Sequence, residues 1–360
     1  MIDVLLVDDS AAVRAVLRRF FSRTTDVRVT GEAGDGAEAV RVVLEQEPQV
    51  VVMDLQMPGM DGYAAIERIM EVRPTPIIVL SSRATRNRMR TAFEAIKRGA
   101  LEVLPKPEDT ASWELLAATL PEMVRAVAQA RAAPAPRTNR RRESGLEALS
   151  GNAAGTAGKG SGAANEAAEL RWVAIGASTG GPAAIRQFLA EVPADPPVTF
   201  LVVQHIAAGF EVGFADWLNK EFSFDVRLAR DQEAPGRGAV RLAPGGAHLR
   251  LQPGGVLRLD RETPARRGHR PSADELFASC AECCPREAAG VLLTGMGSDG
   301  VEGLAALRRA GGLTLVQDEA SSAVFGMPRV ALERGAAEVA LAPRELARTL
   351  VRRWQKEQAE

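Results

Sequence analysis

The sequence predicts an α/β protein with two doubly wound domains whose sheets are mainly parallel. Short apolar runs alternate with stretches of helical periodicity over residues 1–124, and the alternation resumes over residues 169–355. Between them lie residues 125–168, which from residue 131 onward are mostly Ala, Gly, Pro, Ser and Arg and offer almost no large apolar side chains to bury. A chain of 360 residues is long enough for two separate cores. We therefore expect two domains joined by a flexible linker.

The first domain has the signals of a βα repeat. Residues 11–21 and 36–45 carry apolar side chains at helical spacing, between runs that are typical of buried parallel strands. These runs lie at residues 4–7, 50–53, 77–80 and 102–104.

The second domain repeats this alternation around an irregular section. Glycine and proline are frequent over residues 231–270, where we expect short antiparallel strands at 240–242 and 256–259. The remaining strands are predicted near Val173 and at 198–203, 291–293 and 313–316.

Composition limits the classes of function. The formal net charge is -1, from 45 Lys and Arg against 46 Asp and Glu, which argues against a nucleic-acid binder that works by bulk charge. Cys280, Cys283 and Cys284 have no second cluster that would complete a zinc site, so we expect reduced thiols. The pattern of a signal peptide is absent, and no apolar run approaches about 18 residues. These features predict a cytoplasmic protein without direct membrane insertion.

Polar side chains follow four predicted strands of the first domain, at the edge where a doubly wound sheet binds its ligands. Carboxylates gathered there would repel one another unless a hard cation such as Mg²⁺ lay among them. In the same pocket Asp54 could attack a phosphoryl donor, while Lys106 and the Ser81 hydroxyl contact the phosphoryl oxygens. The residues at these strand ends are Asp8 and Asp9, Asp54, Ser81 and Ser82, and Lys106.

This domain resembles the receiver domain of response regulators. The resemblance implies a flavodoxin-like fold in which Asp54 accepts phosphate from a histidine kinase, and in which Asp8, Asp9, Asp54 and the backbone near Gln56 hold Mg²⁺. The chain departs from the family at Val103, where receivers often carry an aromatic residue tied to switching. The segments that carry the resemblance are Val-Asp-Asp-Ser at 7–10, Met-Asp-Leu-Gln-Met-Pro-Gly-Met-Asp-Gly at 53–62 and Leu-Pro-Lys-Pro at 104–107.

A glycine-flanked serine follows the first strand of the second domain. Gly176, Ser178 and Gly180 have the G-x-S-x-G spacing, in which small neighbours allow a sharp strand-to-helix turn that presents the hydroxyl beside backbone N–H donors. The alternative is a tight turn whose serine caps the helix that Pro182 opens. The spacing alone leaves both interpretations open.

A histidine at the end of a strand favours the interpretation of Ser178 as a nucleophile. His205 follows the run 201–204, where its imidazole could act as a general base for Ser178. His248 and His269 are weaker candidates for the base because neither ends a central strand. His269 lies among Arg266, Arg267 and Arg270, which could bind an acidic substrate surface or could simply be solvated.

A second glycine segment competes with this interpretation. The glycines at 295, 297 and 300 match G-x-G-x-x-G, and Asp318 lies where a ribose-binding acid is expected. Asp299 lies in the same turn, however, and its charge would repel a pyrophosphate. We therefore predict that Asp299 accepts the other N–H of His205. Backbone N–H groups near Thr179 and Met296 are the predicted oxyanion donors.

Nearly the whole chain resembles the chemotaxis-type protein-glutamate methylesterases, which carry a receiver, a linker and a Rossmann-like esterase domain. The resemblance implies a Ser178, His205, Asp299 triad that needs no cofactor for ester hydrolysis. It implies a chemotaxis-type histidine kinase as one partner and, as substrate, glutamyl methyl esters on chemoreceptor cytoplasmic helices, with receptor glutamines also deamidated. The chain departs at Ala207-Ala208, where the family commonly has a proline. The segments concerned are Gly-Ala-Ser-Thr-Gly-Gly-Pro at 176–182, Val-Val-Gln-His at 202–205, Gly-Phe at 209–210, Ala-Pro-Gly-Gly-Ala-His at 243–248, Pro-Ser-Ala-Asp at 271–274, Leu-Leu-Thr-Gly-Met-Gly-Ser-Asp-Gly at 292–300 and Gln-Asp-Glu-Ala-Ser-Ser-Ala-Val-Phe-Gly-Met-Pro at 317–328.

A function of another class stays open at this point. The second domain could be a receiver-controlled binding module that docks a partner while the triad is silent. A serine-directed phosphonate discriminates the two, because an idle serine should not react with it.

Overall fold

A computed structural model describes residues 1–81, 90–128, 169–337 and 339–357. Most of the predicted linker, with its arginines at 140–142, and Ser82 lie outside the described residues. Across the described ranges, no helix combines the length and the apolar character that a membrane span requires.

The first domain is a parallel sheet with helices on both faces, as predicted. Its strand order is β2-β1-β3-β4-β5, and every neighbouring pair is parallel. The strands are β1 (Ile2–Val7), β2 (Val27–Ala33), β3 (Val50–Asp54), β4 (Ile77–Ser81) and β5 (Glu102–Pro105). The helices are α1 (Ala11–Phe21), α2 (Gly36–Gln46), α3 (Gly62–Val72), α4 (Glu94–Arg98) and α5 (Thr110–Ala128). The last helix extends four residues past the predicted domain boundary at residue 124.

Side-chain caps explain where three of these helices begin. The Ser10 hydroxyl accepts the Val13 N–H at 3.4 Å, and the Asp35 carboxylate accepts the Glu38 N–H at 2.9 Å. Asp61 does the same for α3. Each cap satisfies an N–H group that has no partner inside its helix, so the loops that carry the polar residues are fixed at the carboxyl edge of the sheet.

The second domain is a larger parallel sheet with the strand order β14-β13-β12-β6-β7-β9-β8. Its strands are β6 (Trp172–Ala177), β7 (Thr199–Gln204), β8 (Asp225–Leu228), β9 (Ala239–Leu242), β12 (Ala288–Leu292), β13 (Leu313–Gln317) and β14 (Val339–Leu341). Its helices are α6 (Gly181–Leu189), α7 (Phe210–Glu221), α8 (Ala273–Cys283), α9 (Val301–Arg309), α10 (Met327–Glu333) and α11 (Pro343–Glu357). The first strand, β6, lies in the middle of the sheet, and the chain builds outward on both sides of it. This change of direction is where doubly wound sheets bind their ligands.

The irregular section of this domain differs in part from the prediction. An antiparallel hairpin joins β10 (His248–Gln252) to β11 (Val256–Asp260), as expected for residues 256–259. Residues 240–242 were wrongly assigned to an antiparallel strand, because β9 pairs parallel with both β7 and β8 inside the main sheet.

The two domains pack against each other through an aromatic cluster. The Phe93 ring of the first domain lies 5.3 Å from Phe214 and 5.8 Å from Trp217, measured between ring centroids, and 6.3 Å from Phe210. All four side chains are fully buried. The first domain is therefore held against α7, the helix that follows His205.

Candidate active site

Ser178 lies in a sharp turn between β6 and α6. Gly180 has a φ of 76°, in the left-handed region, and a Cβ added there would lie 2.4 Å from the Ala323 Cβ. The N-cap of α6 is Gly180 itself, without a side-chain cap. The alternative that Ser178 merely caps the helix is therefore wrong, and the turn has the geometry predicted from G-x-S-x-G.

Neighbouring strands fix the backbone of this turn. The Gln204 side chain donates to the Ser178 carbonyl at 2.8 Å, and the Ser178 N–H donates to the Thr294 carbonyl at 3.0 Å. Gly295 packs so closely that an added Cβ would lie 2.6 Å from the Ser178 Cβ. The serine is thus held from both sides, by the last residue of β7 and by the loop that follows β12.

His205 and Asp299 form the predicted pair. The Nε2 atom of His205 lies 2.8 Å from the Asp299 Oδ2 atom. The other ring nitrogen, Nδ1, is buried and has no hydrogen-bond partner among the described residues. Because β12, β6 and β7 are adjacent strands, Asp299, Ser178 and His205 come from the carboxyl ends of three neighbours. Nδ1 is therefore the ring nitrogen that the contact with Asp299 leaves available.

Fixed donors keep Asp299 charged. Burial would raise the pKa of this carboxyl, but hydrogen bonds from His205, the Ser272 hydroxyl and the Ala273 N–H outweigh burial and lower the pKa to about 2. The hydroxyl lies at 2.6 Å and the N–H at 2.7 Å. The dinucleotide interpretation requires a free ribose-binding acid and a glycine turn without an anion. Asp299 instead lies in that turn and contacts His205, and Asp318 accepts the Ser321 N–H at 3.0 Å.

A cavity of about 680 Å³ opens in front of the triad. One wall contains Ser178, His205 and the predicted oxyanion residues Thr179 and Met296. Ala207 and Ala208, where the chain departs from the methylesterase pattern, line the same wall. The opposite wall belongs to the first domain and runs from Glu102 in β5 to Met123 in α5. The first domain therefore covers the entrance to the triad.

One direct hydrogen bond crosses this boundary at the serine turn. The Gly180 N–H donates to the Glu102 Oε2 atom at 3.2 Å. Burial raises the pKa of Glu102 to about 7, against the opposing effect of hydrogen bonds from the Gly180 and Val103 N–H groups. Val103 is buried beside it.

The acidic residues of the first domain lie together, as predicted. Asp8, Asp9 and Asp54 each offer a carboxylate oxygen, and these oxygens lie within 4.8 Å of one another. The Lys106 ammonium is 2.7 Å from Asp8 Oδ2 and 2.5 Å from Asp54 Oδ2. Burial raises the pKa of Asp8 even though Lys106 opposes the shift. The oxygen donors fit a hard cation such as Mg²⁺, whose charge would offset their repulsion.

Two further predicted residues border this cluster. Ser81 ends β4 and is buried, and the Gln56 N–H donates to the Asp54 carboxylate at 3.2 Å. Both lie at the carboxyl edge of the sheet, where a phosphoryl group on Asp54 would lie.

Similarity to known proteins now decides the family. Residues 173–350 match the CheB methylesterase family model, and residues 4–118 match the response regulator receiver domain. The protein-glutamate methylesterase/protein-glutamine glutaminase 3 of Paramagnetospirillum magneticum is 40% identical over 354 residues, which cover 97% of this chain and 95% of that protein. This chain belongs to the CheB methylesterase family.

A second relative and one solved structure are also similar to this chain. The protein-glutamate methylesterase/protein-glutamine glutaminase 2 of Anaeromyxobacter dehalogenans is 42% identical, covering 97% of this chain and 96% of that protein. The crystal structure of the Thermotoga maritima CheB methylesterase catalytic domain is 32% identical, with a TM-score of 0.49, and covers 51% of this chain and 99% of that chain. The first domain is a receiver domain and the second a CheB-type esterase domain.

Sequence reasoning missed several supports of the esterase site. Gln204 and Ser272 lie inside the quoted motifs, but their contacts with the serine turn and with Asp299 were not predicted. His248, the first residue of β10, is buried with its Nε2 atom 3.1 Å from the Pro264 carbonyl, away from the triad. His269 does reach the triad, and its ring stacks on that of His205.

The arginines around His269 are partly exposed, and two of them pair with acidic side chains of their own domain. Arg266 lies 2.9 Å from Glu275, 2.8 Å from Glu302 and 3.3 Å from Asp274, and Arg267 also pairs with Glu302. Acidic side chains of α8 and α9 bind these two arginines, so their charges are already paired within the domain.

Proposed function

We propose that this chain hydrolyses glutamyl methyl esters on chemoreceptor cytoplasmic helices and deamidates glutamines at the same sites. The observation that carries this proposal is the pairing of His205 with a charged Asp299 beside the serine turn, on three adjacent strand ends. The family membership supports the choice of substrate, since relatives are named for both activities.

The first half of the reaction forms an acyl-enzyme. The Ser178 hydroxyl passes its proton to His205 Nδ1, and Oγ attacks the side-chain carbonyl carbon of the glutamyl ester. The resulting oxyanion accepts hydrogen bonds from the Thr179 and Met296 N–H groups. The protonated His205 then gives its proton to the methoxy oxygen, the C–O bond breaks and methanol leaves. With glutamine, the amide nitrogen takes the proton and ammonia leaves.

Water completes the cycle. His205 removes a proton from a water molecule whose oxygen attacks the glutamyl-serine carbonyl, and the proton is returned to Ser178 Oγ as the glutamate carboxylate is released. Asp299 stabilises the imidazolium in both halves because its own pKa lies far below neutrality.

Phosphorylation of Asp54 by a chemotaxis-type histidine kinase regulates this reaction in our proposal. The Asp54 carboxylate attacks the phosphorus of the kinase phosphohistidine, the P–N bond breaks and the kinase imidazole leaves. Lys106 and Ser81 contact the phosphoryl oxygens, and Asp8, Asp9 and Asp54 with the backbone near Gln56 would hold Mg²⁺. Bound there, Mg²⁺ supplies charge neutralisation for the phosphoryl oxygens.

In the unphosphorylated chain the receiver limits access to the esterase. The support is the shared cavity, the Phe93 cluster and the Glu102 hydrogen bond to the serine turn. Phosphorylation shifts the population towards an arrangement in which the receiver no longer covers the triad. Deleting residues 1–130 should raise the unstimulated rate, and an unchanged rate would contradict inhibition by the receiver.

Methanol release from a methylated receptor fragment tests the catalytic proposal. The Ser178→Ala variant should release methanol at the uncatalysed rate, whereas a Ser322→Ala variant in the 317–328 motif should stay active. A Ser178→Ala variant with normal turnover would show that the nucleophile is another group. The same fragment with glutamine at the receptor sites, scored by ammonia release, tests the deamidation.

A further inference from the structure

The ring of His269 lies flat against the general base. The centroids of the His269 and His205 imidazoles are 3.8 Å apart and their planes differ by 2°. Asp299 holds the edge of the His205 ring through Nε2. A histidine ring otherwise rotates in a broad torsional well about its Cβ–Cγ bond. The stack therefore restricts the remaining rotation of the His205 ring.

A tight hairpin presents His269 to the triad. The Arg266 N–H donates to the His269 carbonyl at 3.0 Å, and the His269 N–H donates back to the Arg266 carbonyl at 2.8 Å. Between them Arg267 and Gly268 have φ values of 50° and 85°, the pattern of a two-residue type I′ turn. A left-handed φ is unfavourable for arginine, so this turn needs support from outside the hairpin.

The support comes from acidic residues at the starts of α8 and α9. Arg266 and Arg267 pair with Asp274, Glu275 and Glu302. Asp274 in turn accepts the Gly303 N–H at 2.8 Å, and its own N–H points to Asp299 at 3.3 Å. The beginning of α8 thus contacts both Asp299 and the hairpin, and α9 adds Glu302, so the two contacts to His205 share a common support.

We propose, on the basis of the function proposed above, that His269 is a positioning residue for the hydrolysis. Its stacked imidazole keeps His205 Nδ1 directed at Ser178, and it must be uncharged when His205 accepts the serine proton. Two imidazolium rings at this separation would repel each other, so a proton on His269 opposes the proton transfer to His205.

The surroundings of His269 favour its neutral form. Burial lowers the pKa of His269, His205 lowers it further and Asp299 opposes them. The neighbouring arginine charges are engaged elsewhere, since Arg270 donates to the Arg261 carbonyl at 3.1 Å. Arg266 and Arg267 also face this region, and they pair with Asp274, Glu275 and Glu302. The charged groups on the receiver wall of the cavity are Glu102, Lys106, Glu108, Asp109 and Glu122.

Two substitutions separate the stack from the charge. His269→Phe retains an aromatic face without a titratable group, and His269→Ala removes the stack. Both are compared with the unsubstituted full chain through the rate at which a fluorophosphonate labels Ser178 between pH 5 and pH 8, and through kcat and KM for methanol release. His248→Gln is the control for losing a buried imidazole outside the triad. The receiver is identical in all four chains, so its own pH dependence cancels in the rate ratios.

We expect His269→Phe to label at close to the unsubstituted rate at pH 8 and faster than the unsubstituted chain at the acid end of the range, because the second ring can no longer carry a proton that opposes the transfer. His269→Ala should lose about 10-fold to 100-fold in kcat with little change in KM, because the base is misdirected while the substrate still binds. The proposal would be overturned if the labelling rates of His269→Phe and the unsubstituted chain fell equally at acid pH. An unchanged kcat for His269→Ala would also overturn it. If Ser178 is labelled but no methanol is released, the proposed substrate is wrong. The labelling rates of the two His269 variants would then still test the positioning role of His269.

Discussion

Asp299 and Glu102 are both buried carboxylates around the serine turn, yet their pKa values are shifted in opposite directions. Burial raises the pKa of each. For Asp299, hydrogen bonds from His205, a hydroxyl and an N–H group reverse the effect and lower the pKa to about 2. For Glu102, two backbone N–H groups leave the pKa raised to about 7. The nature of the donors, more than the depth of burial, decides which carboxylate stays charged.

The two environments match two different roles. All the groups that hold Asp299 belong to the esterase domain, so its charge persists whatever the receiver does. Glu102 belongs to the receiver and reaches across the boundary to Gly180, so its protonation depends on the closed arrangement. In the proposed mechanism Asp299 therefore stabilises the imidazolium in either arrangement of the receiver, whereas the charge of Glu102 changes when the receiver moves.

Removing the fixed charge should have the largest effect. Asp299→Asn keeps the shape of the side chain but cannot stabilise the imidazolium, and we expect kcat for methanol release to fall by about 10³-fold to 10⁴-fold. Ser272→Ala removes one hydrogen bond and leaves the charge, so it should cost only about tenfold. An Asp299→Asn variant within tenfold of the unsubstituted rate would mean that the buried charge does not drive catalysis.

Removing the phosphoacceptor should abolish regulation without changing the basal rate. In the unsubstituted chain, a small phosphodonor and Mg²⁺ should raise the rate of methanol release by about 100-fold, which corresponds to a typical coupling free energy. In Asp54→Asn this activation should be absent. Asp61→Asn is the matched control, because Asp61 caps α3 and asparagine caps a helix equally well. Activation of the Asp54→Asn variant would place the phosphoryl group on another residue.

Loosening the contact between the domains should raise the basal rate. Phe93→Ala leaves Phe214 and Trp217 without their partner ring, which favours separation of the domains, and we expect an increase of about 30-fold in unphosphorylated activity. Phe20→Ala removes a receiver ring that packs on Trp113 instead, so it controls for general destabilisation of the receiver. Equal rates in the two variants would argue against this cluster as part of the inhibition.

The triad and the acidic pocket could be predicted from the sequence because strand ends reveal them. Ser178, His205 and Asp54 each follow an apolar run directly, and parallel strands bring their carboxyl ends to one edge. The position of His269 depends on a turn and on ion pairs of Arg266 and Arg267 with distant residues such as Glu302. Neither the turn nor the ion pairs produce a periodic pattern in the sequence. The pairing of β9 was mispredicted for a similar reason, since a short apolar run does not specify its neighbours. The pKa of Glu102 was beyond prediction because its environment forms only when two domains meet.

The smallest expected effect is the change of the unphosphorylated rate with pH as Glu102 ionises. It tests the contrast between Glu102 and Asp299 directly. In the closed arrangement its pKa is about 7, whereas a solvent-exposed glutamate titrates near 4.5, so between these values the closed arrangement binds more protons than the open one. Rising pH therefore weakens closure. The unphosphorylated rate, divided by that of Glu102→Gln, should rise about threefold between pH 6.5 and pH 7.5. The phosphorylated proteins provide the control, because there the receiver no longer covers the site and the same ratio should stay constant. A ratio that is flat in both states would show that the protonation of this carboxylate does not contribute to closure.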